Sequence, residues 1–368
     1  MPLSRRRAII LVGGGVVFAA AATAGRYLTT RRPDSALAPW DLAGRYDDMR
    51  MNALSFAILA PNPHNRQPWM AELTGDDGLR IHRDRTRDLP ETDPFARQLT
   101  IGMGCFLELL RMAAAEQGFS LETTLFPEGE NGPVADVTFR PGGSPDALFA
   151  HVFERRTNRL DYEDRPISPQ AQTELARYAT LITDPAEVAR IRSLAWDAMQ
   201  IEMHTRPALM ESVDLMRIGK AEIEANPDGI ALGGPFLESL ALLDILSREA
   251  MSDTTSKGFM QGMEMVRKSL EATPAFAVIT TSGNRREEQI EAGRDWMRLH
   301  LAATGHRLSM QPVSQALQEY SEMADHYARA HAMLAGSGGT VQMLARLGYG
   351  PSIGPSPRWP VETRISNA

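Results

Sequence analysis

The chain has 368 residues, enough for one large domain or two of ordinary size. Its 43% hydrophobic and 23% charged residues are typical of a globular protein and argue against wholesale disorder. The formal net charge of −7 argues against a general nucleic-acid-binding role, and the single cysteine excludes an intramolecular disulfide and a cysteine-rich metal centre. No H-E-x-x-H motif occurs, so we predict no metal site.

The N-terminus has the order of an export signal, with a basic start and then an apolar run over 8–25. Ser4 is followed by Arg5, Arg6 and Arg7, which is similar to a twin-arginine signal, the route that carries folded proteins. We therefore expect the twin-arginine translocase as a partner and a periplasmic location. Residues 22–24 offer an A-x-A cleavage site, yet the run is just long enough to span a bilayer. Cleavage and anchoring to the inner membrane both remain open for the segment 1–40.

The pattern over residues 41–150 predicts helices and strands in alternation. A linker over 31–39 comes first, followed by a helix from about 42 to 60 and a loop over 62–69. A second helix begins at 93–94 and is stopped by Gly118, and strands over 120–126 and 134–140 follow. For residues 151–368 the pattern predicts a helix starting at 168–169, a strand over 274–281, and helices over 286–304 and 313–334. The fold class is therefore α+β or mixed α/β.

Methionine is dense over 199–265, and it is the side chain that best fills irregular gaps or adaptable surfaces. Two interpretations stay open for this stretch. It forms an ordinary helical core, or it forms a movable cover over a bound cofactor.

Three short segments concentrate polar chemistry. Residues 60–69 place His64, Asn65 and Gln67 in a proline-rich loop, and amide side chains both donate and accept, as the edge of a planar heterocycle requires. Residues 154–159 hold three arginines around a hydroxyl, and arginine forks match phosphate oxygens, although such a cluster is also common on solvated turns. Residues 356–360 fix one further arginine between two prolines, which suits either an anion site or a stacked structural arginine.

Taken together, these segments resemble the nitroreductase superfamily of FMN-binding proteins, and most of all its Acg-type branch, in which two nitroreductase-like halves are fused. Residues 63–69 resemble the family's flavin loop, S-S/H-x-N-x-Q-P-W. Residues 155–159, followed by 166–168, resemble its phosphate motif R-R-S-x-R and the P-V-S helix start. Residues 356–360 resemble its terminal S-R-x-P element, and the stretch 305–314 resembles its loop beside the reactive flavin edge.

The resemblance implies a nitroreductase-like α+β fold: a central, mostly antiparallel sheet wrapped by helices, in two pseudo-twofold halves that meet near residue 150. The loop occurs once and the phosphate motifs occur once, so the fused chain, a pseudo-dimer that could act as a monomer, is expected to bind one FMN. The phosphate contacts it implies come from Arg155, Arg156, Thr157, Arg159 and Arg358. The resemblance also implies that Asn65 and Gln67 contact the ring or ribityl chain and that Gln311 and Pro312 contact the reactive edge. It implies that Pro68 stiffens the loop. His64 is either a flavin contact or a loop cap.

Two functions follow from the resemblance. In the first, the protein is an oxidoreductase that passes electrons from a reduced nicotinamide through the flavin to an electron-poor small molecule, and no protein group need act as a catalytic nucleophile. In the second, it holds FMN without turnover, since members of the Acg branch are thought to cover the flavin with their own chain.

Overall fold

A computed structural model describes residues 32–336 and 338–366. The predicted export signal lies outside these residues. Up to residue 151 the described chain forms helices around one antiparallel sheet with strand order β1-β2-β4-β3. The elements are α1 (Asp34–Leu42), α2 (Met49–Ala57), β1 (Trp69–Thr74), β2 (Gly78–Arg83), α3 (Arg97–Glu116), β3 (Phe119–Leu125) and β4 (Ala135–Pro141), with short 3-10 helices at Pro63–Asn65, Arg85–Arg87 and Ala147–His151.

The rest of the described chain contains a second antiparallel sheet of order β5-β8-β10-β9 and a small parallel pair, β6 and β7. The elements are α4 (Pro169–Leu175), β5 (Thr180–Ile182), α5 (Pro185–His204), α6 (Arg206–Asp214), β6 (Met216–Ile218), α7 (Gly219–Ala225), β7 (Ile230–Leu232), α8 (Pro235–Leu242), α9 (Arg248–Ser252), α10 (Lys257–Glu271), β8 (Ala275–Thr281), α11 (Arg286–Gly305), β9 (Ser309–Pro312), α12 (Ala324–Leu334) and β10 (Thr340–Gly348), with 3-10 helices at Gln315–Leu317, Ser321–Met323 and Val361–Arg364. The predicted α+β class is confirmed. The division near residue 150 remains a prediction, although each large sheet draws its strands from one side of it.

Two 20-residue helices of the core, α3 and α11, cross at a pair of glycines. A Cβ atom on Gly104 would lie 2.2 Å from the carbonyl oxygen of Ile290, and one on Gly293 would lie 2.1 Å from that of Ile101. Beside the crossing, the Cys105 thiol donates to the Gly293 carbonyl oxygen at 3.2 Å. Glycine at both positions therefore allows the helix backbones to approach closely, and one continuous hydrophobic core extends from the first sheet to the second.

The last described residues run back to the first half. Ile365 forms a parallel bridge to Ala71 in β1, and the Trp40 indole in α1 donates to the Ser356 carbonyl oxygen at 2.8 Å. The two ends of the described chain thus lie on the same face of the molecule.

Several predicted elements are confirmed, namely the strands over 120–126, 134–140 and 274–281, the helix capped by Ser168, and the helix over 286–304. Others were wrong in extent. The expected linker over 31–39 is mostly helix α1, and the helix expected from 42 begins at Met49, where the Asp48 carboxylate accepts from two backbone amides of the first turn. The helix expected at 93–94 begins at Arg97, because Ala96 is left-handed, with φ 55°.

The helix expected over 313–334 begins only at Ala324, since β9 and two 3-10 turns occupy the preceding residues. Strands β1 and β2 were not predicted.

The methionine-rich insert, residues 199–265, is largely helical and builds a small core of its own. Phe259 is buried at its centre, with Leu209, Val213 and Met216 around it, and further methionines pack against this cluster. The helical-core interpretation of the methionine pattern is therefore supported.

Candidate functional site

A cavity of about 190 Å³ lies between the two halves, and both halves line it. The first half contributes the end of the Pro61–Asn65 loop, the segment around Asp93, and one face of α3. The second half contributes Arg155, Thr157, Arg159 and Arg358, together with residues that follow β9. The phosphate-type arginines and the predicted flavin loop, far apart in sequence, thus meet at one cavity.

The loop that follows α2 is held in a strained backbone conformation. His64, Asn65 and Gln67 have φ values of 46°, 52° and 51°, in the left-handed region that non-glycine residues seldom adopt. Each such residue costs roughly 1–2 kcal/mol, so the surrounding contacts must hold the loop in place. One of these contacts is the Asn62 side-chain oxygen, which accepts from the Gln67 backbone N–H at 2.7 Å.

Gln67 is fully buried and does not line the cavity. Its Nε2 donates to the Pro227 carbonyl oxygen at 2.7 Å, and its Oε1 accepts from the Trp359 backbone N–H at 2.9 Å. Pro68 is also buried away from the cavity. The structure therefore gives the Gln67 amide a role inside the protein, where it joins the loop to the insert and to the C-terminal segment.

Asn65 lines the cavity and positions an arginine. Its Oδ1 accepts from Arg358 at 2.7 Å, and its Nδ2 donates to the Pro357 carbonyl oxygen at 3.1 Å. The same guanidinium donates to the carbonyl oxygens of Leu59 and Ala60, both at 3.1 Å. These carbonyls follow the C-terminal end of α2, which carries partial negative charge and so favours a cation.

Arg155 and Arg358 are buried cations without a carboxylate partner. Arg155 is 3% exposed and Arg358 2% exposed, and in the described part of the chain no Asp or Glu forms an ion pair with either. Both guanidiniums donate to the same Leu59 carbonyl oxygen. Burial, followed by the charge of Arg156, lowers the pKa of Arg155 to about 10, and burial and the neighbouring arginines lower the pKa of Arg358 well below its ordinary value.

Buried charges in proteins are normally paired, so these two arginines and the cavity-lining Arg159 form a site that an anion would complete.

The other predicted residues divide into those at the cavity and those behind it. Thr157 lines the cavity and forms a backbone bridge to Met310. Arg156 does not line it, since its guanidinium stacks over the Trp40 ring at 4.7 Å and donates to the Arg155 carbonyl oxygen. Pro312 lines the cavity, whereas Gln311 in β9 does not.

His64 reaches the cavity with a neutral ring. Burial lowers its pKa to about 4, with Arg159 and Arg66 adding to the shift, and its Nδ1 is buried with no hydrogen-bond partner among the described residues. A neutral ring with one free nitrogen can accept a hydrogen bond from a ligand, or donate one, according to its tautomer.

The cavity lining also includes polar residues that the sequence did not single out as ligands, among them Asp93, just before α3. Asp93 is 6% exposed, and its carboxylate accepts from the backbone amides of Gln98 and Leu99 at 3.1 and 2.9 Å. Burial raises the pKa of Asp93 to about 6. Ser314 and Gln315, in the segment after β9, line the same cavity. The sequence signals were Asp93 as a helix start and Ser314 as the last residue of the stretch 305–314, and nothing in the local pattern marks Gln315.

The insert supports the cavity wall from behind. Among the described residues that line the cavity, none comes from 199–265. Glu211 of α6 instead accepts from the backbone amides of Glu91 and Thr92, at 2.9 and 3.1 Å. The hypothesis of an insert that lies directly over the cofactor is therefore not borne out by the lining.

No group of His, Cys, Asp or Glu residues within 32–336 and 338–366 is arranged to hold a metal ion. Over the same ranges, none of the helices combines the length and the apolar character needed to span a bilayer.

No protein-family model matches the chain. Its sequence is similar to two proteins of Mycobacterium tuberculosis strain H37Rv, provisionally named NAD(P)H nitroreductases. It is 29% identical to acg over 178 residues, which is 46% of this chain and only 50% of that protein. It is 24% identical to Rv3131 over 337 residues, which is 84% of this chain and 91% of that protein. The chain is thus similar to nitroreductase-like proteins.

Among solved structures, a nitroreductase-like protein of Anabaena variabilis aligns with 80% of this chain and 82% of its own, at 12% identity and a TM-score of 0.40. The FMN-dependent nitroreductase NfnB of Mycobacterium smegmatis, solved with NADPH, aligns with 53% of this chain and 84% of its own, at 16% identity and a TM-score of 0.33. At these scores the structural likeness is distant.

Proposed function

We propose that this nitroreductase-like protein binds one FMN in the cavity between its halves and acts as an FMN-dependent oxidoreductase. The observation that carries the proposal is the convergence of Arg155, Arg159 and Arg358 on the cavity, two of them buried with no carboxylate partner in the described chain. The residues present fit a terminal phosphate, because a dianion would neutralise charges that the protein leaves unpaired. The Arg358 Nε is itself a buried donor without a partner among the described residues.

In this proposal Arg155, Arg159 and Arg358 hold the phosphate, and Thr157 adds a hydroxyl. Arg156 does not line the cavity and contributes by packing on Trp40. Asn65 keeps Arg358 aimed at the cavity, while Gln67 and Pro68 hold the loop; Gln311 pairs with Arg346 in the sheet and does not line the cavity. When bound, FMN would supply the redox chemistry, namely hydride acceptance from a reduced nicotinamide and electron delivery to an electron-poor acceptor.

Several side chains of the cavity lining suit contact with such an acceptor. Asp93, Ser314 and Gln315 are polar, and Met343 adds an apolar surface. Because the insert does not line the cavity, the oxidoreductase is favoured over an FMN holder that its own insert covers.

The central test is the flavin content of wild type and of Arg358→Ala. Wild type is expected to release about one FMN per chain on heating, and Arg358→Ala to bind FMN roughly 10- to 150-fold more weakly, since a charge-assisted hydrogen bond contributes about 1.5–3 kcal/mol. Arg364→Ala is the control, because Arg364 packs on Trp359 in the same segment but does not line the cavity. Circular dichroism checks that all three proteins are folded. Unchanged FMN binding by Arg358→Ala would refute the assignment.

Anaerobic mixing of the FMN-loaded protein with NADH or NADPH separates the two functions. Bleaching of the flavin, followed by recovery on adding a nitroaromatic or a quinone, is expected of the oxidoreductase. A protein that holds FMN and is reduced by neither nicotinamide would instead be a flavin-holding protein.

We also propose that the protein is exported through the twin-arginine route to the periplasm. What supports this is the order of basic and apolar residues before residue 26.

A further inference from the structure

The insert contacts the site loop through three consecutive residues, 227–229, between α7 and β7. The Pro227 carbonyl oxygen accepts from the side chains of Gln67 and Asn65, at 2.7 and 3.4 Å. The Gly229 backbone N–H donates to the Asn65 carbonyl oxygen at 3.3 Å. Asn65 and Gln67, two of the strained loop residues, are thus hydrogen-bonded to the insert residues on either side of Asp228.

Asp228 lies among three arginines that come from three different elements. Its Oδ2 accepts from Arg66 at 3.3 Å and from Arg87 at 2.8 Å, and its Oδ1 accepts from Arg217 at 2.9 Å. Asp228 is 7% exposed, so solvent screens these pairs weakly. One carboxylate therefore joins the site loop, the 3-10 turn at 85–87 and strand β6.

The same cluster fixes the loop to the first half. Arg87 donates to the Arg66 carbonyl oxygen at 2.9 Å, and Arg66 donates to the Arg87 carbonyl oxygen at 3.1 Å. Without the Asp228 charge, three guanidiniums would remain close together, with Arg364 nearby. The remaining acids are Asp84, which accepts from Arg87 at 3.1 Å, and Asp88, which is near Arg66. Repulsion between the guanidiniums would work against the loop conformation, which already costs free energy because of its positive φ angles.

We propose that Asp228 is a positioning residue that holds the flavin loop in its binding conformation, so that docking of the insert and binding of FMN are coupled. The proposal rests on the proposed function only in naming FMN as the ligand. The connection to the ligand runs through Asn65, which accepts from Arg358 and whose backbone and side chain both bond to residues 227–229. Coupling is reciprocal, so FMN must stabilise the docked insert to the same extent as the insert strengthens FMN binding.

The test compares Asp228→Asn, which keeps the shape and removes the charge, with Asp228→Glu, which restores the charge. Asp228→Asn is expected to bind FMN roughly tenfold more weakly, within the usual range for coupled sites, and Asp228→Glu to recover part of the loss. Glu222→Gln is the matched control, since Glu222 is in the same insert and pairs with Arg248, and among the described residues it makes no hydrogen bond or ion pair with residues 60–69. If Asp228→Asn does not fold, Arg66→Gln replaces it, because it breaks the contact from the loop side.

Hydrogen exchange provides a measurement that does not depend on FMN. Without FMN, the amides of residues 64–67 are expected to exchange faster in Asp228→Asn than in wild type, and no faster in Glu222→Gln. In wild type, FMN is expected to slow exchange over residues 228–232. Unchanged loop exchange in Asp228→Asn would overturn the inference, as would wild-type FMN affinity. Failure of wild type to bind FMN would refute the proposed function alone, because the exchange comparison would still decide the role of Asp228.

Discussion

At the scale of single residues, a buried neutral histidine lies directly behind the arginine cluster. His300 of α11 is 1% exposed, and its Nε2 lies 2.9 Å from the Arg156 carbonyl oxygen, so this nitrogen carries the proton of the neutral ring. Burial, with the charge of Arg155, lowers the pKa of His300 to about 3. A protonated ring at this position would add a further cation beside guanidiniums that have no carboxylate partner in the described chain.

The pH dependence of stability follows from this shift. Because the pKa of His300 falls from 6.5 in the unfolded chain to about 3 in the folded protein, only the unfolded chain takes up this proton as the pH drops below 6.5. The free energy of unfolding is therefore expected to fall by about 2 kcal/mol between pH 7 and pH 5 through His300 alone. His300→Gln, whose amide can still donate to Arg156, is expected to remove that part of the change.

Urea unfolding of both proteins at pH 7 and pH 5 measures the effect. Asp93 has the opposite sign, since its raised pKa stabilises the folded protein as the pH falls from about 6, but this contribution is common to both proteins. An equal loss of stability in wild type and His300→Gln would contradict the prediction.

Sequence reasoning succeeded for residues whose chemistry is unusual in itself. The clustered arginines and the proline-rich loop were identified from residue types, and the structure brings Asn65, Arg155 and Arg358 to one cavity. It failed to place Gln67, because an amide can bond to a ligand or to the backbone, and only the fold decides which. Gln315 could not be found, since it lies just beyond the stretch 305–314 and a lone amide side chain carries no signal.

At the scale of elements, alternation of residue types predicted β3 and β4 but not β1 and β2. Strand β2 does alternate, with Leu79 and Ile81 buried between polar side chains, but two apolar residues are too few to distinguish a strand from a loop by pattern alone. The arginines of β2 are accommodated by acids that come from other segments, such as Asp136, which accepts from Arg80 at 2.8 Å. Helix α1 was missed because Pro39 lies inside it, and the tertiary contact made by Trp40 outweighs that local penalty.

The crossing of α3 and α11 predicts a sharp difference between two glycines. Gly104→Ala would place a methyl group 2.2 Å from the Ile290 carbonyl oxygen, so the helices must separate, and we expect a loss of roughly 1–3 kcal/mol of stability or more. Gly262→Ala in α10 is the control, since its Cβ would meet only the end of Met251, at 3.7 Å.

The control is expected to be neutral or to stabilise the protein by up to about 1 kcal/mol, because alanine is the better helix former. Urea midpoints measure both variants, and equal midpoints for the two would show that the helix backbones do not touch at Gly104.

At the scale of the whole molecule, the proposed export route makes a further prediction. Arg5→Lys combined with Arg6→Lys keeps the charge but removes the guanidinium forks that a twin-arginine receptor reads. The variant is expected to stay in the cytoplasm of a twin-arginine-competent bacterium, while wild type reaches the periplasm. Cell fractionation followed by immunoblotting measures the distribution. Export of the variant at the wild-type level would favour another route, and wild type confined to the cytoplasm would remove the export proposal.

The contact between the segments 36–46 and 358–362 determines when, during synthesis, the site can form. Arg358 donates its backbone N–H to the Ala36 carbonyl oxygen, and Tyr46 donates to Glu362. Residues 36 and 46 therefore cannot form these contacts until residues more than 300 positions later in the chain have been synthesised. A chain still on the ribosome therefore lacks both the last arginine of the cavity and the segment that fixes Asn65. Nascent chains are expected to be unable to retain the proposed FMN until residue 362 has left the exit tunnel. For a protein proposed to be exported in the folded state, FMN retention would then require the segment 356–362 to be in place before export.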